Sequence, residues 1–506
     1  AFQDSLDVAA TSSNAKLTLT NPANIAAGAA RNLVVNAATA GVLDATLTLA
    51  LTSNANGVNG LNNAGLTAQT IAVTGAAYDL ARPTVATTLA IGNRRVGYAA
   101  DLNIANATLT SATYQDSLDV TSATSNAKLT LGSVANIAAG VDRNLVVTAA
   151  TAGVLDATLT LGLTSNANSV TGLTNQALAG KTVAVTGAAY DLADASVVST
   201  LALGNIRRGA QYSLAVTNAV RTAAAFQDNL RVAATSADTA VLTAASPTDI
   251  AAGATGNVTV SAVAAGVLTG ASVSLDLTSK ALTASGLNDG ATTSQTVAVT
   301  GTAYDFASAT HAATLALGNV RVTTNATTGT LTVTNALATN GTAAYQDALD
   351  LAATSSNARL SVLGAATGIA ATATGDVTVR AITAGSLAGN LTLGLTSKAL
   401  SGSGLADGSL ANGTVAVTGA AYDFATAAVA SSLTLNNVRT GTLTNVSVGN
   451  TVTTSAAFQD SLDVAATSSI ANLTLTNPAN IAAGAARNLV VNAATAGVLD
   501  ATLTLA

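Results

Sequence analysis

The stretch Val183-Ala184-Val185-Thr186-Gly187-Ala188-Ala189-Tyr190-Asp191 decides the fold. Val183 and Val185 point one way and Ala184 and Thr186 the other, which is the period of a half-buried strand. Gly187 breaks the alternation, so the strand is expected to stop there and a new unit to open at Ala188. The same junction stands at Gly75-Ala76-Ala77-Tyr78-Asp79, Gly301-Thr302-Ala303-Tyr304-Asp305 and Gly419-Ala420-Ala421-Tyr422-Asp423. A second segment keeps step with it. Phe2-Gln3-Asp4 returns at Tyr114, Phe226, Tyr345 and Phe458, at intervals of 112, 112, 119 and 113 residues. Residues 457–506 then repeat residues 1–50, changed only where Asn14 becomes Ile470 and Lys16 becomes Asn472. Each interval is the size of one domain and can hold its own core. Such a chain is an array, and arrays act through length and multiplicity.

Within one unit, Leu43 to Leu51 alternates strictly, and Thr70–Thr74 does so up to Gly75. Lys16–Thr20 and Asn32–Asn36 read as further short strands, separated by Asn21-Pro22, Gly28, Gly41 and the cluster Ser53–Gly57. The Ala-rich stretch Ile25–Ala30 is short, contains Gly28 and feeds a strand, so it reads as a loop rather than a helix. About seven short strands with turns roughly every eight to twelve residues indicate an antiparallel sandwich. A β-solenoid would show a much shorter period. The expected division is 1–75, 76–187, 188–301, 302–419 and 420–506, the first and last being partial repeats. Repeats cut at both ends, in a chain without Met, lead to the expectation that the natural polypeptide continues beyond them.

All 25 acidic residues are Asp, Cys and Trp are absent, and only 9% of residues are charged. The surface is therefore Thr, Ser, Asn and Ala, with little charge repulsion to oppose self-association. A net charge of −6 spread over the whole chain does not suit nucleic acid, which wants a basic face. No Cys means no disulfide, zinc–thiolate or thiol chemistry. No stretch is apolar enough to read as a membrane span; even Ala45–Tyr78 is broken by Thr, Ser, Asn and Gly. With aromatics at 3% and many inward Ala, the core of one unit is expected to be thin, with neighbours supplying part of its stability.

About sixteen residues after each junction Gly comes a second signature: Ile91-Gly92-Asn93-Arg94-Arg95, Leu203-Gly204-Asn205-Ile206-Arg207, Leu317-Gly318-Asn319-Val320-Arg321 and Leu435-Asn436-Asn437-Val438-Arg439. Strands ending in Thr-Asn follow at Leu214–Asn218 and Leu331–Asn335, then a loop Ile-Ala-Ala-Gly as at Ile25–Gly28, Ile137–Gly140 and Ile250–Gly253. This order resembles the bacterial choice-of-anchor D repeats, which look like relatives of the abnormal-spindle and hydin-type immunoglobulin-like domains. The resemblance implies an all-β fold of tandem immunoglobulin-like sandwiches in a linear array, in long secreted or surface-anchored proteins, with no catalytic residues. Asn436 and Thr372 stand where the pattern wants Gly, which puts those turns in question.

Four side chains recur at the repeat junctions: the Tyr-Asp acid (Asp79, Asp191, Asp305, Asp423), the Asn (Asn93, Asn205, Asn319, Asn437), the Arg (Arg95, Arg207, Arg321, Arg439) and the Gln-Asp acid (Asp4, Asp116, Asp228, Asp347, Asp460). An Arg with two Asp lacks a nucleophile or a tunable base, so the expectation is structural. Each Arg is expected to meet the Tyr-Asp carboxylate near the start of its own unit, with the Asn capping the turn. Calcium is the sharper alternative, through Asp191, Asp194 and Asn205, although Asp194 has no acidic counterpart elsewhere. His311 is the single His, which argues against general-base or triad chemistry. Gly180-Lys181-Thr182 mimics a phosphate loop but leads into a strand. No cofactor is expected. The expected function is a non-enzymatic repeat protein of an extracellular or cell-surface fibre, stalk or matrix filament that self-associates, with pairing through sheet edges. The alternative is an adhesin whose repeats bind glycans or host surfaces.

Overall fold

A computed structural model describes residues 3–325 and 328–506; Phe2, in the first copy of the boundary motif, lies outside them. The segment from Asp191 to Tyr304 shows how the alternation becomes a sandwich. Its principal strands are β1 (Ala195–Val197), β2 (Thr200–Arg207), β3 (Gln211–Asn218), β4 (Asn229–Ser236), β5 (Leu242–Ala245), β6 (Thr255–Ala262), β7 (Ser272–Lys280) and β8 (Gln295–Tyr304). One sheet runs β1-β3-β6-β5, the other β2-β8-β7-β4. All neighbours are antiparallel except β2 and β8, which run parallel. This is the strand order of the immunoglobulin sandwich, with the entering strand divided between both sheets. Leu214, Val216, Val258 and Val260 of one sheet face Val273, Leu275, Val297 and Val299 of the other, all buried. Outward positions between them carry Thr, Ser and Ala, as the period of two requires.

The same two sheets recur on either side. Pro83–Val85, Ala99–Asn106, Asp142–Ala149 and Leu129–Leu131 form one sheet of the preceding unit, and Thr88–Arg95, Gln176–Tyr190, Ala157–Asn166 and Ser117–Thr124 belong to its partner. Ala309–His311, Gly329–Asn335, Thr374–Ala381 and Leu360–Ala365 repeat the first sheet in the next unit. Near the start of the chain, Ser5–Ser12, Ala45–Asn54 and Ala64–Val73 are counterparts of β4, β7 and β8. Near its end, Ala427–Val429, Leu443–Asn450, Ala486–Ala493 and Leu473–Thr476 are counterparts of β1, β3, β6 and β5. The chain is all-β, an array of tandem immunoglobulin-like sandwiches, with no α-helix among the described residues. Ile25–Ala30 is a loop closed by a turn at Ala27-Gly28.

Three local readings change. The strand read as ending at Gly187 continues to Tyr190, and its counterparts reach Tyr304 and Tyr422. Gly187 is there for another reason: a Cβ on it would lie 2.5 Å from the carbonyl oxygen of Gly92, where the parallel pair shifts register. Gly301 and Gly419 stand equally close to Gly204 and Gly318. At Gly75, with no β2 counterpart alongside, an added Cβ meets nothing within 4 Å. Second, Thr372 and Asn436 keep the left-handed turn without Gly, at φ 69° and 48°. Asn tolerates that region; Thr there is strained. Third, part of the outer edge of β4 is occupied from within the chain. Leu230 N–H donates to Ile250 O at 2.8 Å and Ala234 N–H to Ser246 Oγ at 2.8 Å, so the chain's own loop covers that part. In the preceding unit the short strand Val134–Ile137 does the same.

Candidate functional site

Each junction begins with the two recurrent boundary segments lying side by side. Asp191 N–H donates to Phe226 O at 2.9 Å and Asp228 N–H to Asp191 O at 3.1 Å. Tyr190 packs on Phe226 with ring centroids 5.5 Å apart; Tyr78–Tyr114, Tyr304–Tyr345 and Tyr422–Phe458 repeat the contact at 5.5, 5.8 and 5.7 Å. Eight of the chain's thirteen aromatics are thus spent where two sandwiches meet.

Behind them sits a polar knot that sequence reading did not find. Asn218, at the end of β3, is fully buried. Its amide donates to Asp228 O at 2.9 Å and Ile250 O at 3.1 Å, and its oxygen accepts from Asp194 N at 2.9 Å and Gln227 Nε2 at 2.9 Å. Asn106, Asn335 and Asn450 do the same in their units. Ser279, also fully buried, donates to Asp228 Oδ2 at 2.7 Å and accepts from Ala193 N at 2.8 Å. Ser165 and Ser397 hold Asp116 and Asp347 identically. Comparing copies at Ser53, Ser165, Ser279 and Ser397 would have shown the recurrence. Its meaning needed the fold, because each Ser is about fifty residues from its Asp.

The Gln-Asp carboxylate, buried this way, receives its counter-charge from the unit before. Arg95 Nη1 lies 2.8 Å from Asp228 Oδ2, Arg207 Nη1 lies 2.7 Å from Asp347 Oδ2, and Arg321 pairs with Asp460. The expected pairing of each Arg with the Tyr-Asp acid of its own unit is therefore wrong. The Arg ends β2, which runs parallel to β8 and away from the start of its unit, so the guanidinium emerges at the far end. The Asn is corrected likewise. It does not cap its own turn: Asn93 Nδ2 donates to Ser285 O at 2.9 Å and Asn205 Nδ2 to Ser403 O at 2.8 Å, both on the loop before β8 in the following unit. Arg95 Nη2 and Arg207 Nη2 reach the same loops, at Asn288 O and Ala406 O, both 2.8 Å. Arg207 and Arg321 also lie over Phe306 and Phe424, at 4.3 and 4.7 Å from the ring centroids. Asn319, Asn437 and Arg439 are exposed.

The Tyr-Asp acids have no common partner. Asp191 Oδ2 accepts from Thr222 Oγ1, Asp305 Oδ1 pairs with Arg208 Nε at 2.7 Å, and one carboxylate oxygen each of Asp79 and Asp423 is buried without a partner. Burial, reinforced by nearby Asp347 and opposed by Arg208, holds the Asp305 carboxyl above the ordinary carboxylate range. The calcium set does not assemble: Asp194 faces Arg221 at 3.4 Å, while Asn205 and Asp191 are engaged elsewhere. Among the described residues no three His, Cys, Asp or Glu side chains converge as metal ligands would. Half-buried His311 holds its Nδ1 3.0 Å from Ala312 O, and Gly180-Lys181-Thr182 lies inside the strand Gln176–Tyr190. The ion pairs and hydrogen bonds of Asn93, Arg95, Asn205 and Arg207 run from one sandwich to the next.

No family model matches the chain, and no curated protein matches it. Solved structures that are similar to it include the surface layer protein SbsC, domains 1–6, at 13% identity over 99% of this chain, with a TM-score of 0.18. The match spans 62% of that solved chain. Zebrafish RET cadherin-like domains 1 to 4 match at 11% identity over 75% of this chain and 83% of that one, with a TM-score of 0.20. Dpr2 Ig1-Ig2 in complex with DIP-Theta Ig1-Ig3 matches at 10% identity over 67% of this chain and 99% of that one, with a TM-score of 0.22. Among the described residues no helix is long and apolar enough to cross a membrane.

Proposed function

We propose that this chain is a structural repeat segment, with no catalytic role, of an extracellular or cell-surface fibre, stalk or matrix filament. On this reading the segments 76–187, 188–301 and 302–419 are its building blocks and the recurrent Asp, Asn and Arg side chains are its junction residues. The observation that carries it is the cross-unit clamp: Arg95–Asp228, Arg207–Asp347 and Arg321–Asp460 pair the same two recurrent residues across three successive joints, the first two on a buried carboxylate with an Asn hydrogen bond beside it. A chemistry-bearing site has no reason to be spent on every joint; a scaffold does. The junction leaves almost no linker, since β8 ends at Tyr304 and the next sheet begins at Ala309, which suits extension rather than independent domain motion. The sparse surface charge suits self-association. The choice-of-anchor D resemblance belongs to this proposal. An adhesin binding glycans wants free aromatic platforms, whereas Phe306 and Phe424, the exposed rings at the joints, lie beneath Arg207 and Arg321. Electron micrographs of the native material test the reading. Filaments or a regular matrix are expected; isolated monomers that bind a glycan array would replace it with the adhesin.

A further inference from the structure

In each of the three sandwiches the strand near the entrance and the strand at the exit are hydrogen-bonded neighbours running parallel. β2 pairs with β8 from Thr200↔Ala298 to Arg207↔Tyr304. Thr88–Arg95 pairs with Gln176–Tyr190, and Thr314–Arg321 with Gly413–Tyr422, in the same sense. Tension along the chain draws β2 toward its N-terminal end and β8 toward its C-terminal end. The bonds between them are then loaded in shear and share the load, instead of peeling open singly. Sliding of β2 is also opposed from outside its unit. Its last residue, Arg207, is fixed on the fully buried Asp347 of the next unit, and Asn205 on Ser403 O. β8, meanwhile, continues covalently into that unit.

We propose that the Asn and Arg at the end of β2 form a second load path, so that tension passes between units through two strands: covalently through β8 and non-covalently through β2. A unit then resists unfolding more strongly while its C-terminal neighbour is folded, because that neighbour grips the strand that must slide. The clamp deepens the reading of the chain as a structural array. Its test is separate, since micrographs read the assembly and tension reads the clamp.

The test pulls the full 506-residue chain by its ends in single-molecule force spectroscopy. Asn205→Ala removes a cross-unit hydrogen bond from an exposed position without touching the core of its own unit. Leu242→Val, on β5 in the opposite sheet, is the comparator, and both variants are first shown to fold by circular dichroism and to lose similar equilibrium stability. Asn205→Ala is expected to raise the unfolding rate of the 191–304 unit under load about five-fold, the worth of one hydrogen bond. Leu242→Val leaves that rate within about two-fold, because β5 stays packed when the β2–β8 ladder gives way. Equal effects of the two substitutions, or no effect of Asn205→Ala, would overturn the proposal.

Discussion

Removing Arg207 is the most informative perturbation of the joints. Its guanidinium is 15% exposed, and the Asp347 carboxylate it neutralises is 0% exposed. Arg207→Ala leaves Asp347 with one donor, Ser397 Oγ at 2.8 Å, and an Oδ1 that already lacks a partner. Breaking one side of a buried ion pair costs about 3–5 kcal/mol. The low end, about 3 kcal/mol, applies because water can enter the space vacated by a partly exposed side chain. The loss of stacking on Phe306 adds to it. The cost should fall on the unit that holds Asp347, although the substitution lies in the unit before. Hydrogen exchange of amides in Ala348–Ser355 reads it locally, which a global melt of several units cannot. Protection there should fall by roughly two orders of magnitude. Adding Asp347→Asn removes the stranded charge and keeps an acceptor for Ser397, so the double variant should recover part of the loss. A loss below about 1 kcal/mol, the worth of an exposed pair, would refute the clamp as an energetic link between units.

Further outcomes follow from the same geometry. Asn218→Ala deletes four buried hydrogen-bond partners at once and should destabilise its unit by more than about 3 kcal/mol, read by the same exchange measurement on β3 and β4. Gly301→Ala drives a Cβ to 2.5 Å from Gly204 O and should abolish the β2–β8 register, whereas Gly75→Ala, with nothing within 4 Å, should cost far less; hydrogen exchange in β8 for the one and in Ala64–Val73 for the other decides. Asp305 carries a carboxyl raised above its unfolded value, so the folded state holds its proton to higher pH than the unfolded chain does. Its contribution is therefore fully present below the unfolded carboxylate value and lost as pH rises through the folded one. Across that window the unit that holds Asp305 should lose stability relative to its Asp305→Asn variant as pH rises, read by hydrogen exchange in Gly329–Asn335; a difference between the two that does not change with pH would contradict the assignment.

Much of the fold was legible because period two is a property of the local chain. The alternation of Val183, Val185 and the Leu of Leu43–Leu51 needs no knowledge of partners to be read as a strand. Recurrence of the Asp, Asn and Arg was likewise legible without any structure. Partner identity was not legible. Arg207 and Asp347 are separated by more than a full repeat, and two chemically equal acids recur in every copy, so spacing alone could not choose between them. The parallel pairing of β2 with β8 decides it by carrying the Arg to the far end of its unit. Gly187 was misread for a related reason. A Gly that stops a strand and a Gly that lets two backbones touch look alike in one dimension, and only the Gly92 carbonyl tells them apart.

The absence of Cys from the chain makes one measurement decisive for the claim that successive sandwiches grip one another through these residues. Ala202→Cys with Ala406→Cys places two exposed labelling sites on opposite sides of the joint, one on β2 and one on the loop that Arg207 Nη2 reaches. Spin labels on the double variant should give one narrow distance distribution, which Arg207→Ala broadens. A broad distribution with Arg207 intact, or one that Arg207→Ala leaves equally narrow, would contradict the account.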